Sequence, residues 1–154
     1  MLIRDFAPAD LDAVVLLNVR ATDPRDTAEN SIRYNPDLLD IPNVYQKAGA
    51  FLVGDIDRDI VAMGAIQCAE RGTFILTRIR VAIPKQRQGL ARRIVRALED
   101  RARALGGTKI TLDTTDKQVP AQRLYESLGY TFTHNSVLEN PFGVFNLVHY
   151  RKEL

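Results

Sequence analysis

The sequence predicts a mixed α/β domain, and three observations lead there. Short runs rich in β-branched residues, bounded by turn residues, mark strands. Apolar residues recurring every three to four positions between them mark helices. One run, "TFILTRIRVAI", is followed by a helix and then by "KITLDTT", a separation that calls for a parallel strand pair joined by a right-handed crossover. The length of 154 residues fits one domain over residues 1–154 with a single core.

Taken in order, "LIRDFA" reads as an opening strand. Pro8 stands where the first turn of a helix tolerates it, and Leu11, Val14, Val15 and Asn18 share one face of that helix. Residues 22–46 are polar and punctuated by Pro24, Pro36 and Pro42, with a short helix expected near 27–34. "AFLVGDIDRDIVAMGAIQCA" gives two strands around a turn at Asp55 to Asp59. "TFILTRIRVAI" follows, with Arg78 and Arg80 on the face opposite Ile79 and Val81. After Gly89, the positions Leu90, Ile94, Ala97 or Leu98, Ala102 and Leu105 form a helical stripe that Gly106 and Gly107 terminate. "KITLDTT" is the next strand. Pro120 opens a last helix lined by Ala121, Leu124, Tyr125 and Leu128, and "YTFTHNSVL" and "VFNLVHYRKEL" close the chain as an antiparallel pair.

Composition excludes several classes. With 45% hydrophobic and 26% charged residues the chain reads as an ordinary globular protein. No apolar run approaches the roughly 20 residues that a spanning helix needs, so no membrane partner is expected. The start "MLIRDFAPAD" lacks an apolar signal segment, and the single Cys68 cannot form an internal disulfide; together they predict a cytoplasmic location. Cys68 itself is expected inside a buried strand, as a small hydrophobe. A nucleic-acid partner is not expected, because the net charge is only +2 and no aromatics interleave the basic residues.

Charge is concentrated rather than abundant. Between Arg78 and Arg96 there are seven Lys or Arg residues, and no acid appears until Glu99. Positive charge opposes a helix N-terminus, so a helix starting at "KQRQGLARR" calls for an anion. Its first amides have no intrahelical acceptor, and Gly89 lets a ligand approach the main chain without a Cβ in the way. A pyrophosphate satisfies both needs; a plain strand-to-helix connection with solvated arginines is the other reading. The turn lacks the G-K-[ST] of a nucleotide-triphosphate loop and the three glycines of a dinucleotide fingerprint. No zinc, flavin or nicotinamide pattern is present, and no metal is expected.

Gln86, Gly89 and Ala91, five and more residues beyond Val81, fill the three fixed positions of Q/R-x-x-G-x-G/A, and "LDTT" and "AQRLYESLGY" follow downstream. These segments resemble motifs A and B of the GNAT superfamily of acyl-CoA-dependent N-acetyltransferases. The resemblance implies one mixed, mostly antiparallel sheet of six to seven strands, about four helices, and a splayed parallel pair at the cofactor site. It implies acetyl-CoA as cosubstrate and a small-molecule or peptide amine as acceptor. The turn amides of Arg87, Gln88, Gly89, Leu90, Ala91 and Arg92 would cradle the pyrophosphate. The main chain across Ile79, Arg80 and Val81 would pair with the pantetheine arm and polarise the thioester carbonyl. Gln118 stands where the family often has an asparagine that bonds the pantetheine. Tyr125 belongs to a buried stripe by periodicity alone, whereas the resemblance gives it the role of general acid toward the departing thiolate. Homodimers are frequent in the superfamily, although no feature of this sequence specifies one.

The general base is left open. "TFILTRIR" has no carboxylate. Glu70, which reads more readily as a solvated turn residue, and Asp113, Asp116 and Glu126 are candidates without a choice among them. An amine of lowered pKa, deprotonated by water, would need no protein base. His134 and His149 stand apart in the two terminal strands and read as structural or surface residues. Residues 22–46, with Tyr34 and Tyr45, and the loop "HNSVLENPFG" are expected on the acceptor side. An acyl-CoA-binding module without transfer activity is the alternative function.

Overall fold

Each strand expected from the alternating runs is present, and the turns between them set a single sheet. The computed structural model describes residues 1–154. Its strands are β1 (Leu2–Asp5), β2 (Ala50–Ile56), β3 (Asp59–Glu70), β4 (Thr73–Val81), β5 (Lys109–Thr115), β6 (Thr131–Asn140) and β7 (Gly143–Glu153). They lie in the order β1-β2-β3-β4-β5-β7-β6. All neighbours are antiparallel except β4 and β5. The helices are α1 (Leu11–Arg20), α2 (Ala28–Tyr34), α3 (Leu90–Ala104) and α4 (Val119–Ser127). The polar segment after α2 adds a 3-10 turn at Pro36–Asp40 and a wide π-turn at Pro42–Gln46, where Lys47 N donates to Pro42 O at 2.9 Å.

Strand alternation divides the interior into two layers rather than one core. On β2, Leu52 faces Ile94, Val95 and Leu98 of α3, together with Tyr125 and Leu128 from the α4 side. Its neighbours Phe51 and Val53 face the opposite layer, with Val14, Val15 and Leu17 of α1 and with Leu38, Ile41 and Tyr45. A period of two on the strands and 3.6 on the helices is what lets both faces be covered. α3 is held by Leu90, Ile94, Val95, Leu98 and Ala102, all buried. Burying each of its large aliphatic side chains contributes about 1.5–3 kcal/mol. Leu105 departs from the expected stripe: it caps the helix and is 48% exposed, because the chain turns there into Gly106 at φ 82°.

Two further expectations are corrected. Cys68 is exposed, since β3 runs on past the helices and its last four residues, Gln67 to Glu70, emerge from both layers. His134 and His149 do not stand apart. Pairing of β6 with β7 puts them opposite each other, and their rings stack at 4.1 Å with 8° between planes. Their spacing in sequence hides a contact made by the hairpin.

Candidate active site

The parallel pair is short. β4 and β5 are in register only at Thr73↔Lys109, Phe74↔Ile110 and Ile75↔Thr111. Beyond Ile75 the strands part, and the cause sits on the other edge of β4. Met63 opposes Arg80 and Ala65 opposes Thr77, so Gly64 alone faces two residues, Arg78 and Ile79. This is a β-bulge, which bends the strand that carries the extra residue. Arg78 absorbs it with a left-handed backbone, φ 58°. Gly64 is needed here: a Cβ would come within 2.5 Å of Ile79 Cδ1 and 2.7 Å of Ile94 Cγ2.

The parting leaves a cleft of about 900 Å³ between Leu76–Val81 and Asp113–Thr115, with the α3 turn and Tyr125 on its walls. At one end the chain leaves β4 through a tight turn, with Lys85 N donating to Ala82 O at 2.8 Å and Gln86 N to Ile83 O at 3.2 Å. The Gln86 carboxamide staples it, donating to Val81 O at 2.9 Å and to Ala21 O at 3.0 Å. Arg87 (φ 61°) and Gly89 (φ 80°) then take left-handed conformations. The amides from Arg87 to Arg92 have no acceptor within the chain, and Arg93 N is the first to bond back, to Gly89 O. A Cβ on Gly89 would meet nothing within 4 Å, so its main chain borders open space. Six free donors at the positive end of a 15-residue helix make a seat for an anion.

The arginine cluster is less uniform than its sequence. Arg92 Nη2 donates to Ser127 Oγ at 2.8 Å and Arg93 Nη2 to Met1 O at 2.8 Å. Arg78 turns away from the turn altogether. Its Nη2 and Nε meet Asp37 at 2.6 and 3.1 Å, its Nη1 meets Asn35 Oδ1 at 2.7 Å, and Tyr45 Oη donates to Asp37 Oδ2 at 2.5 Å. Burial, then the hydrogen bond to Asp37, pushes the Tyr45 phenol up to about 12. Tyr45 is therefore packed in the α1-side layer behind Arg78, while Tyr34 meets Phe142 edge-on at 4.2 Å. The acid that neutralises Arg78 comes from a loop 41 residues earlier, which no local charge pattern reveals.

Tyr125 is 8% exposed and belongs both to the α3–α4 layer and to the cleft wall. Tyr130 and Tyr150 hold its ring at centroid distances of 5.8 and 6.5 Å. Burial raises its phenol to about 12; the Arg80 cation works against this and the Asp113 carboxylate with it. Gln118 lines the cleft at the start of α4, and its Oε1 accepts from Thr114 Oγ1 at 2.6 Å.

The four candidate bases separate. Asp113 is the one carboxylate among the cleft residues. Glu70 lies at the far end of β3. Glu126 Oε1 accepts from Tyr150 Oη at 2.8 Å, and Asp116 faces Asn146 at 3.5 Å. Alternation on β5 contained this answer: Ile110, Leu112 and Thr114 are buried toward α3, so Asp113 must face the other way.

The sheet is thus pierced where its parallel strands part. The anion seat and Tyr125 come from the α3–α4 side, and Arg80 and Asp113 from the α1 side. Comparison with known proteins accords with this geometry. The protein named Probable N-acetyltransferase camello, from Xenopus laevis, is 29% identical over 126 residues, covering 77% of this chain. The chain spans 57% of that relative's length. An acetyltransferase from Streptococcus agalactiae superposes with a TM-score of 0.82 at 22% identity, over 99% of this chain and 98% of that one. The structure of yncA from Salmonella typhimurium with its cofactor acetyl-CoA gives 0.76 at 20% identity, over 100% and 94%. At these identities the two structures speak for the fold. The model of the Acetyltransferase (GNAT) family matches residues 16–130, a span that takes in the bulged strand, the Gly89 turn and Tyr125 together, and the chain belongs to that family.

Proposed function

We propose that the chain transfers an acetyl group from acetyl-CoA to an amine by direct attack, with both substrates bound at once. The observation that carries this reading is the opening of β4 from β5 after Ile75 and Thr111, with six unpaired amides beyond it. A pyrophosphate on the amides of Arg87 to Arg92 orients the extended arm into the gap. There the free edge of β4, through the main chain of Ile79 and Val81 on either side of Arg80, takes it as an added strand. Gln86 holds the turn to α1, and Gln118 borders the arm from the start of α4.

The acceptor enters from the α1 side, so that amine and thioester meet within the sheet. Asp113 is the base, receiving the proton that the nitrogen loses, either directly or through water. As the C–S bond breaks, Tyr125 gives its phenolic proton to the departing sulfur. Its raised pKa suits an acid that must arrive protonated. Positioning of two reactants in one cleft accounts for much of the expected acceleration.

The test is purified protein with acetyl-CoA and a broad amine panel, followed by thiol release and by mass. Acetylated products are expected. Tight binding of acetyl-CoA with no amine acetylated would instead identify a binding module without transfer.

A further inference from the structure

Arg80 differs from its neighbour in one respect: nothing in the chain neutralises it. It projects from β4 to the α1 side, where Nε donates to Asn18 O at 3.0 Å and Nη1 to Ile79 O at 2.9 Å. Both acceptors are main-chain carbonyls. No carboxylate lies within ion-pair distance of it, whereas Arg78 two residues earlier has Asp37 at 2.6 Å. The charged and ionisable groups that bear on Arg80 are Arg78, which repels it, and the phenols of Tyr125 and Tyr45. Both phenols are pushed up to about 12 and are neutral at physiological pH. Burial accordingly pulls the guanidinium below its ordinary value. An arginine does not shed its proton under such pressure, and a half-buried guanidinium with no counter-ion in the chain is left electrostatically unsatisfied. A protein retains that arrangement where an anion arrives from outside.

Coenzyme A does not supply the anion. Its phosphates belong at the Arg87–Arg92 amides, and its pantetheine arm and acetyl group are uncharged. The acceptor remains. Asp113, on β5 and pointing away from the buried Leu112 and Thr114, is the one carboxylate that lines the same cleft. A cation and an anion facing the incoming amine complement a molecule carrying both charges.

Resting on the acetyl-transfer reading above, we infer that the acceptor is an amine bearing its own carboxylate, as in a free amino acid, with the carboxylate held by Arg80 and the nitrogen presented beside Asp113. A guanidinium fork suits a carboxylate through two parallel N–H donors. Arg80 thereby also fixes which face of the nitrogen meets the thioester.

The experiment compares matched acceptors with acetyl-CoA: phenylalanine, phenylalaninamide and phenethylamine, then the same triad built on methionine and on lysine. Thiol release gives kcat/KM for each. The free acids are expected to exceed their amides and decarboxylated amines by roughly a hundredfold or more, the usual consequence of leaving a buried charge unpaired. Arg80→Gln is expected to erase that preference, and Arg80→Lys to restore part of it. Equal use of acids, amides and amines by the unaltered protein overturns the inference, whatever the variants do. A uniform loss in Arg80→Gln across all three members of a triad also overturns it, and assigns Arg80 to the oxyanion instead. Succinyl-CoA outperforming acetyl-CoA with phenethylamine overturns it too, by moving the carboxylate to the donor. If calorimetry detects coenzyme A binding but no acceptor is acetylated, the acetyl-transfer reading fails, and this inference with it. If amides are acetylated as readily as acids, only the Arg80 assignment fails.

Discussion

A phenol held at a pKa of about 12 by burial keeps its proton through any ordinary assay range, and this sets what Tyr125 should show. As a general acid it is active when protonated, so the raised value preserves its function upward in pH and loses it only as pH climbs through about 12. An alkaline limb in kcat below pH 10 is therefore not expected to come from this residue. Tyr125→Phe is expected to lower kcat by roughly 10²–10⁴-fold with little change in acetyl-CoA affinity. Stopped-rate thiol assays and calorimetry check the two halves of that statement, and full turnover in the variant removes the residue from the acid role. Tyr125 was legible in the sequence as a member of the α4 stripe, and only its motif context pointed beyond packing. Arg80 was marked there only for its main chain, and Asp113 only as one of four candidate bases. An arginine without a partner is visible only once every other chain segment has been placed around it.

Elements decide whether the cleft exists at all. The bulge at Arg78 rests on Gly64, against which Ile79 and Ile94 pack. Gly64→Ala is expected to destabilise the protein by about 1–3 kcal/mol through overpacking and to raise KM for acetyl-CoA, because Ile79 lines the cleft as well. Urea denaturation reads the first effect and steady-state kinetics the second; a stability loss with unchanged KM would show that bulge and cleft are independent. α3, its Gly89 start and the parallel pair could all be read from spacing. The bulge could not. Alternation of Ile79 and Val81 with the arginines continues unbroken through it, and the one extra residue shows only against the register of β3. Cys68 and the stacked histidines were missed for a related reason. Where a strand outruns its covering helices, and which residues a hairpin sets side by side, are properties of the assembled sheet. Side-chain pattern within one run does not contain them.

At the scale of the whole molecule, the sheet is joined across β4 and β5 by three residue pairs, while two layers of side chains cover its faces. Acetyl-CoA lying between the parted strands is expected to slow amide exchange in both Leu76–Val81 and Leu112–Thr115. At a hundredfold excess over Kd it should also add about 2.7 kcal/mol of stability. That corresponds to a rise in Tm of roughly 5–10 °C for a chain of this length. Exchange mass spectrometry and calorimetric melting measure both, and protection confined to the Gly89 turn would contradict the seated arm. The same seam has a corollary for binding. Arg80 rides on one leaf of the molecule and Asp113 on the other, joined by a spine only three rungs long. If either substrate draws the leaves together, it is expected to bring the opposing jaws to their working distance for its partner, which titrating each in the presence of the other would measure. By thermodynamic reciprocity each reactant then sharpens the grip on the other by one common factor.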